Sequence, residues 1–323
     1  MPTLPKKVTK VALKEEEEIL PVSFPQTVQL IERYVIQEIE LETRKKQLYY
    51  HTVDHALAVK RRANQIFHAI YPELEPKPPA RTLELINIAA LAHDMVQEFV
   101  TSDDNNYPRK RQRGVSEHAT IIKLTNHIQK LNQKLQEAQY SPSVGIDTTE
   151  LAIIQEAIAA TICHSGLFEH SLYQSDLYHK PDLSLVAKII ALADLGTLGI
   201  DGVEAYIQEG ILIFLEDNLD IANFLNNSHK QQQFPENLKN RILQANFFML
   251  NFAQERYLRF AQEIDTFSPK IQNIFQEHLF KELNPATINN ITNLVPNTQN
   301  ISLEKLLNFI RQWQHLKDKT VRE

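Results

Sequence analysis

Glycine is scarce, with seven among 323 residues, where average usage of about 7% would give roughly 23. Folds that bring backbone against a phosphate need glycine at fixed places, and neither GxGxxG nor GxxxxGK[ST] occurs. Nucleotide binding through a dinucleotide fold or a P-loop is therefore excluded. The single cysteine, Cys163, cannot form an intrachain disulfide, and there is no CxxC pair for zinc or redox chemistry. That usage predicts a reducing, cytoplasmic compartment. No uninterrupted apolar run of about 18 residues exists, so no membrane span is expected, and the first 25 residues hold no signal-peptide core. Basic residues do not dominate either: 34 Lys and Arg face 40 Asp and Glu, a formal charge of −6, which leaves no electrostatic footprint for nucleic acid.

What remains is 43% hydrophobic and 23% charged, an ordinary globular composition. Apolar residues recur at helical spacing from about Gln26 onward, and the pattern predicts an all-α fold. Helices are expected near 26–47, 53–71, 81–99, 115–138, 148–164, 182–199, 203–226, 236–263, 268–282 and 302–318. Breakers fit these boundaries: four prolines fall between Pro72 and Pro79, and Pro285 and Pro296 divide the C-terminal part. The organisation read from this is a flexible arm over 1–25, with prolines and the run Glu15 to Glu18, a helical domain over 26–200, and a helical extension over 201–323 packing on the same core. The stretch around 226–240, rich in Gln and Asn, reads as an exposed connection.

Polar groups inside helices that otherwise read as buried carry the functional information, because burying an unpaired charge is costly. The helix TLELINIAALAHDMV ends on His93 and Asp94, and Asp194 is the sole carboxylate from Leu183 to Gly199. His164 closes the apolar run LAIIQEAIAATICHSG. In YYHTVDHALAV, His51 and His55 stand four apart and share a helix face if the chain is helical from 51, and GVSEHATIIKL opens with Glu117 and His118. Taken singly, a histidine on such a face is usually a hydrogen-bonded core residue, and Asp194 can pair with Lys188. Repeated on successive buried helices, these imidazoles and carboxylates need a shared compensating charge, and a divalent cation supplies one.

This ordered set resembles the HD-domain superfamily of metal-dependent phosphohydrolases, over about residues 48–200. The adjacent pair His93-Asp94 gives that family its name, HALAV matches its first histidine at His55, and ALADLG looks like its closing aspartate motif at Asp194. The resemblance implies an HD-type helical bundle with additional C-terminal helices, and metal ligands at His55, His93, Asp94 and Asp194. His118 in SEHA and His164 in ATICHSG fall in the order of the branches with a second metal, which would make Asp94 a bridging ligand. The string YHTVDHA is similar to the YHNxxHA segment of cyclic-nucleotide phosphodiesterases and implies that His51 is the general acid; the alternative for His51 is a structural hydrogen bond to a neighbouring helix. HDMVQEFV lacks that branch's DHPG-like continuation, and HxxG with LADL also looks like the dinucleoside-polyphosphate hydrolase branch.

The function so implied is hydrolysis of a nucleotide or other small phosphate ester by metal-activated water, with one or two ions of Mn, Fe, Mg, Co or Zn. Arg109, Lys110, Arg111 and Arg113 form a cationic loop that can clamp the substrate's phosphate, or else a solvated charge run. Lys60, Arg61 and Arg62 are expected to face water. Glu98, four residues after Asp94, and Glu117 are candidates to orient a histidine or activate water, with Glu117 preferred. Cys163 beside His164 reads as a small buried residue rather than half of a nucleophilic dyad. The apolar segment FFMLNFAQERYLRF is expected to roof the pocket, form a homodimer interface, or fill the core. The competing functions are a non-catalytic module that binds metal or nucleotide, and a helical interaction protein.

Overall fold

The structure, a computed structural model, describes residues 20–100, 109–166, 171–226 and 237–314. The arm over 1–19, most of the Gln- and Asn-rich stretch and residues 315–318 lie outside the described residues. Among the described residues the fold is all-α with one two-stranded hairpin.

At its centre is α3 (Thr82–Ala92), whose residues from Leu85 to Ala92 are buried at all but one position. A helix apolar on every side must be enclosed, and α1 (Phe24–Lys46), α2 (Val53–Ile70), α5 (Thr148–Ala159) and α7 (Leu185–Asp194) enclose it. α4 (Val115–Glu137) packs on α1 and α5. Local signals set several starts. Asp147 and Glu150 form a reciprocal capping box on α5, and Ser184 accepts from the Ala187 N–H, at 3.2 Å, to cap α7.

Beyond residue 194 come α8 (Thr197–Ile200), α9 (Val203–Asp217), α10 (Leu219–Asn226), α11 (Leu238–Glu263), α12 (Pro269–Ile274), α13 (Pro285–Leu294) and α14 (Leu303–Gln314), with α6 (Asp176–His179) lying before α7. The later helices divide between two apolar clusters. Ile207, Ile211, Leu243, Ile291 and Ile310 build a second core, whereas Phe260, Ile264 and Phe275 return to the core around α3. α11 thus spans both.

Several helices end earlier than their periodicity predicts. The apolar run over 81–99 is helical only to Ala92, and the chain then turns and extends, with Val100 N–H bonded to Lys110 O at 2.7 Å. The run over 148–164 stops at Ala159, and Cys163–Ser165 forms strand β1, antiparallel to β2 (Leu172–Gln174). The segment over 203–226 breaks at Asn218, and that over 182–199 breaks at Leu195 and Gly196. Helix α13 was not anticipated from the sequence. Pro285 occupies its first turn, where a missing N–H costs nothing, and Asn284 caps it by accepting from Thr287 N–H at 3.0 Å. Among the described residues no helix is long and apolar enough to cross a membrane.

Candidate metal centre and its cavity

The early ends of α3 and α7 leave His93, Asp94 and Asp194 at helix C-termini, where they meet His55 from the first turn of α2. One ligand atom from each of His55, His93, Asp94 and Asp194 lies within 4.8 Å of the others, a group that can hold a metal ion. The His55 and His93 Nε2 atoms are 3.2 Å apart. His93 Nε2 lies 2.9 Å from Asp94 Oδ2 and 3.3 Å from Asp194 Oδ1, and His55 Nε2 lies 3.4 and 3.6 Å from the same two oxygens.

Surrounding groups fix which atoms face inward. His93 Nδ1 is 2.8 Å from Ala90 O, and a carbonyl only accepts, so Nδ1 donates and Nε2 is the ring nitrogen that faces the cluster. Gln97 Nε2 donates to Asp94 Oδ1 at 3.0 Å, and Gln174 Nε2 donates to Asp194 Oδ2 at 2.9 Å. The other oxygen of each carboxylate is left for the centre, the outer-shell arrangement that orients metal ligands. Two imidazole nitrogens and two carboxylate oxygens drawn together in this way can hold a metal ion, and the donor set fits a divalent cation of intermediate hardness. Burial disfavours charge on His93, but Asp94 and Asp194 outweigh it and hold its pKa well above the usual imidazole range. Asp94 and Asp194 are held below the ordinary carboxylate range by the two histidines, again against burial.

His51 precedes α2, which begins only at Val53, so it does not share a helix face with His55; its Nε2 still lies 3.7 Å from Asp94 Oδ2. Its Nδ1 is 2.5 Å from Glu216 Oε1, so Nδ1 donates and Nε2 is turned toward the centre. Glu216, from the last turn of α9, is completely buried; its other oxygen accepts the backbone N–H groups of Tyr49, Tyr50 and His51 at 3.0, 2.9 and 3.1 Å. Arg111 bonds to the same carboxylate, to Asp217 at 3.1 Å and to Gln97 Oε1 at 3.0 Å. Burial opposes ionisation of Glu216, yet His51, Arg111 and the N–H donors hold its pKa well below the usual carboxylate range.

These groups open onto a cavity of about 650 Å³. Asp94, Asp194, His51 and Glu117 line its polar end, with Arg111 and Arg113 beside them. Burial, followed by the charges of Asp94 and Asp194, raises the pKa of Glu117. Tyr206, Phe248, Met249 and Phe252 also line it, so α11 contributes to the pocket wall while also filling core.

The sequence-selected residues are not all brought together. His118 is exposed on α4, where Ser116 and Thr120 take the inward positions. His164 lies on β1 instead of a helix, with Nδ1 3.2 Å from Arg113 Nη1. Neither joins the four-residue group. Of the cationic loop, Arg109 instead bonds to the carbonyls of Lys46, at 2.5 Å, and Glu216, at 2.9 Å through Nε, and stacks 4.2 Å from the Phe99 centroid. Lys110 is exposed at the Val100 bridge, and only Arg111 and Arg113 of the four line the cavity.

Glu98 does not share a face with Asp94, because the helix has ended; it meets Lys46 at 3.4 Å. Arg62 is the reverse case. It does not face water: it continues the inward stripe of His55, Val59 and Ile66, is 0% exposed, and donates to Ala193 O at 2.7 Å and Asp201 at 2.9 Å. Cys163 is half-buried on the cavity wall, its thiol kept protonated by burial and then by the charges of Asp194, Glu117 and Asp94. The residues that sequence reasoning missed are Glu216, Gln97, Gln174 and Arg62. A carboxylate inside the apolar run ILIFLED was the available signal for Glu216.

Comparison of the chain with protein-family models, curated proteins and solved structures gave no match in any of the three.

Proposed function

We propose that the protein is an HD-type metal-dependent phosphohydrolase acting on a nucleotide or another small phosphate ester. The observation that carries this reading is the convergence of His55, His93, Asp94 and Asp194, whose two aspartates line a cavity large enough for a small organic ligand. These four residues would hold the cation, and their mixed nitrogen and oxygen donors suit Mn²⁺, Fe²⁺, Co²⁺, Mg²⁺ or Zn²⁺. When bound, such an ion stabilises charge on phosphoryl oxygens and lowers the pKa of water.

The chain's own groups complete the chemistry. His51, fixed by Glu216 with Nε2 on the cavity side, is placed to give a proton to the departing oxygen. Arg113, which lines the cavity beside His164, offers its guanidinium to the phosphate, while Arg111 is engaged by Glu216 and Asp217 and holds the His51 support in place. Glu117, with its raised pKa, sits where it can accept or return a proton.

The test is phosphate release from a panel of nucleotides and simple phosphomonoesters and diesters, with each ion added in turn. A double variant, His93→Ala with Asp94→Ala, should lose both metal and turnover. Full hydrolysis by that variant would sink the proposal. Tight nucleotide binding with no turnover across the panel would favour the non-catalytic binding module instead.

A further inference from the structure

A second concave surface lies between α1 and α4 and shares no lining residue with the cavity beside the metal centre. It is a groove of about 340 Å³. Arg33 and Tyr34 reach it from α1, and His127, Lys130 and Lys134, spaced three and four apart, reach it from one face of α4. The Tyr34 and His127 rings stack with centroids 3.6 Å apart and planes within 1° of parallel.

The charge along this groove has one sign. Arg33, Lys130 and Lys134 are exposed, and no Asp or Glu is among the described residues that line it. Neighbouring cations are matched differently: Lys60 meets Glu32 at 2.6 Å, and Lys123 meets Glu38 at 2.5 Å. Lys130 and Lys134, four apart on a helix, repel each other. In a chain with a formal charge of −6, such a gathering of cations on a concave surface suits an anionic occupant.

The helix directions select one. Thr27 Oγ1 donates to Val144 O at 2.7 Å, Tyr34 stacks on His127 and Glu38 meets Lys123, so rising numbers on α1 face falling numbers on α4 and the turn after it. Counting back from the Tyr34–His127 contact at equal rise places Lys134 level with Thr27 and Lys130 level with Ile31, about 5 and 10 Å along α1 from Phe24. The start of α1 is also where the chain's own acidic run arrives. Glu15 to Glu18 precede Leu20 by two to five residues, and Leu20 is half-buried against the core around α3. Two to five extended residues span about 7–17 Å, which matches the distance to both lysines.

We infer that the groove between α1 and α4 seats the run Glu15 to Glu18, an intramolecular contact of four carboxylates with Arg33, Lys130 and Lys134. The short tether gives the run an effective concentration on the order of millimolar, which a free anion or the acidic segment of another protein has to exceed. This contact is independent of the reaction at the metal centre.

A carbodiimide joins a carboxylate to an amine without a spacer, and so reports contact between the two. Applied to the full chain and mapped by mass spectrometry, it should join the run Glu15 to Glu18 to Lys130 and Lys134. The Lys60–Glu32 and Lys123–Glu38 pairs serve as standards in every sample. Yield relative to those standards should stay constant over about a tenfold range of protein concentration, as an intramolecular contact requires. It should fall by about threefold or more at about 1 M salt, where charges are screened within about 3 Å. Arg33→Glu keeps both amines and should cut the yield by a similar factor; should it fold poorly by circular dichroism, Gln37→Glu, at another exposed position in the groove, carries the same expectation.

The inference is overturned if the standards react while Lys130 and Lys134 stay unlinked to the run, or if the run is joined chiefly to other lysines. Yield that rises with protein concentration overturns it too, and makes the occupant the acidic run of a second copy. Full yield in the charge variants and at high salt reduces the contact to collision and has the same consequence.

Discussion

Glu216 grips the imidazole of His51 across 165 residues of sequence, Oε1 to Nδ1 at 2.5 Å, and so ties the C-terminal part of the chain to the candidate metal centre. The carboxylate is 0% exposed and accepts three backbone N–H groups besides. Glu216→Gln leaves Arg111 with one carboxylate partner fewer and is expected to cost about 1–3 kcal/mol. Because the pKa of Glu216 is depressed in the folded state, its contribution is complete above the unfolded value of about 4.3 and is lost as pH falls below it. Urea unfolding between pH 7 and pH 3 should therefore show a steeper acid limb for wild type than for Glu216→Gln. Parallel limbs would contradict this.

On the catalytic reading, His51→Gln should lower kcat by about 10²–10⁴ while metal content stays at the wild-type level, since His51 is outside the four-residue group. Loss of metal along with activity would instead place His51 among the ligands.

Elemental analysis of protein purified without chelator should find metal removed by His93→Ala and by Asp194→Ala and retained by His118→Ala and His164→Ala. In the wild type, saturating metal at about 100 times its dissociation constant should stabilise the fold by about 2.7 kcal/mol, read as a rise in Tm. A drop in stoichiometry for His118→Ala would restore that residue to the site.

Metal uptake should release protons. The pKa of His93 is raised, so below it the site holds a proton that the cation must displace, and affinity should climb as pH rises through that value. Calorimetric titration in two buffers of different ionisation enthalpy measures the number released; an identical heat in both would refute the coupling.

Arg109 and Arg113 should separate cleanly although they lie in one loop. Arg109→Ala removes bonds to the Lys46 and Glu216 carbonyls and should lower Tm. Arg113→Ala leaves those bonds and should raise KM for a phosphate substrate with Tm nearly unchanged. Equal effects on both properties would show that the loop acts as a single charged patch.

Much of the helical frame was legible, because an amphipathic period is a local property of three- and four-residue spacing. The ends were harder to read. Apolar residues continue past Ala92 and Ala159, yet the chain leaves the helix at both: Met95 and Val96 reach the same core from outside α3, and Cys163–Ser165 pairs with β2. Pro285 reads equally as a breaker and as a first-turn residue, and only the Asn284 cap decides between them.

Residue order alone was enough for the helical class, for the lack of a glycine-built phosphate loop, and for imidazoles and carboxylates recurring on apolar helices in the order His55, His93, Asp94, Asp194. It took the packed fold to reveal that these four converge while His118 and His164 do not join them, that Arg109 is a staple, and that Glu216 supports His51. The reason is range: periodicity and capping are fixed by neighbours within a turn or two, whereas a ligand set is fixed by how helix ends meet, which depends on contacts spread along the whole chain.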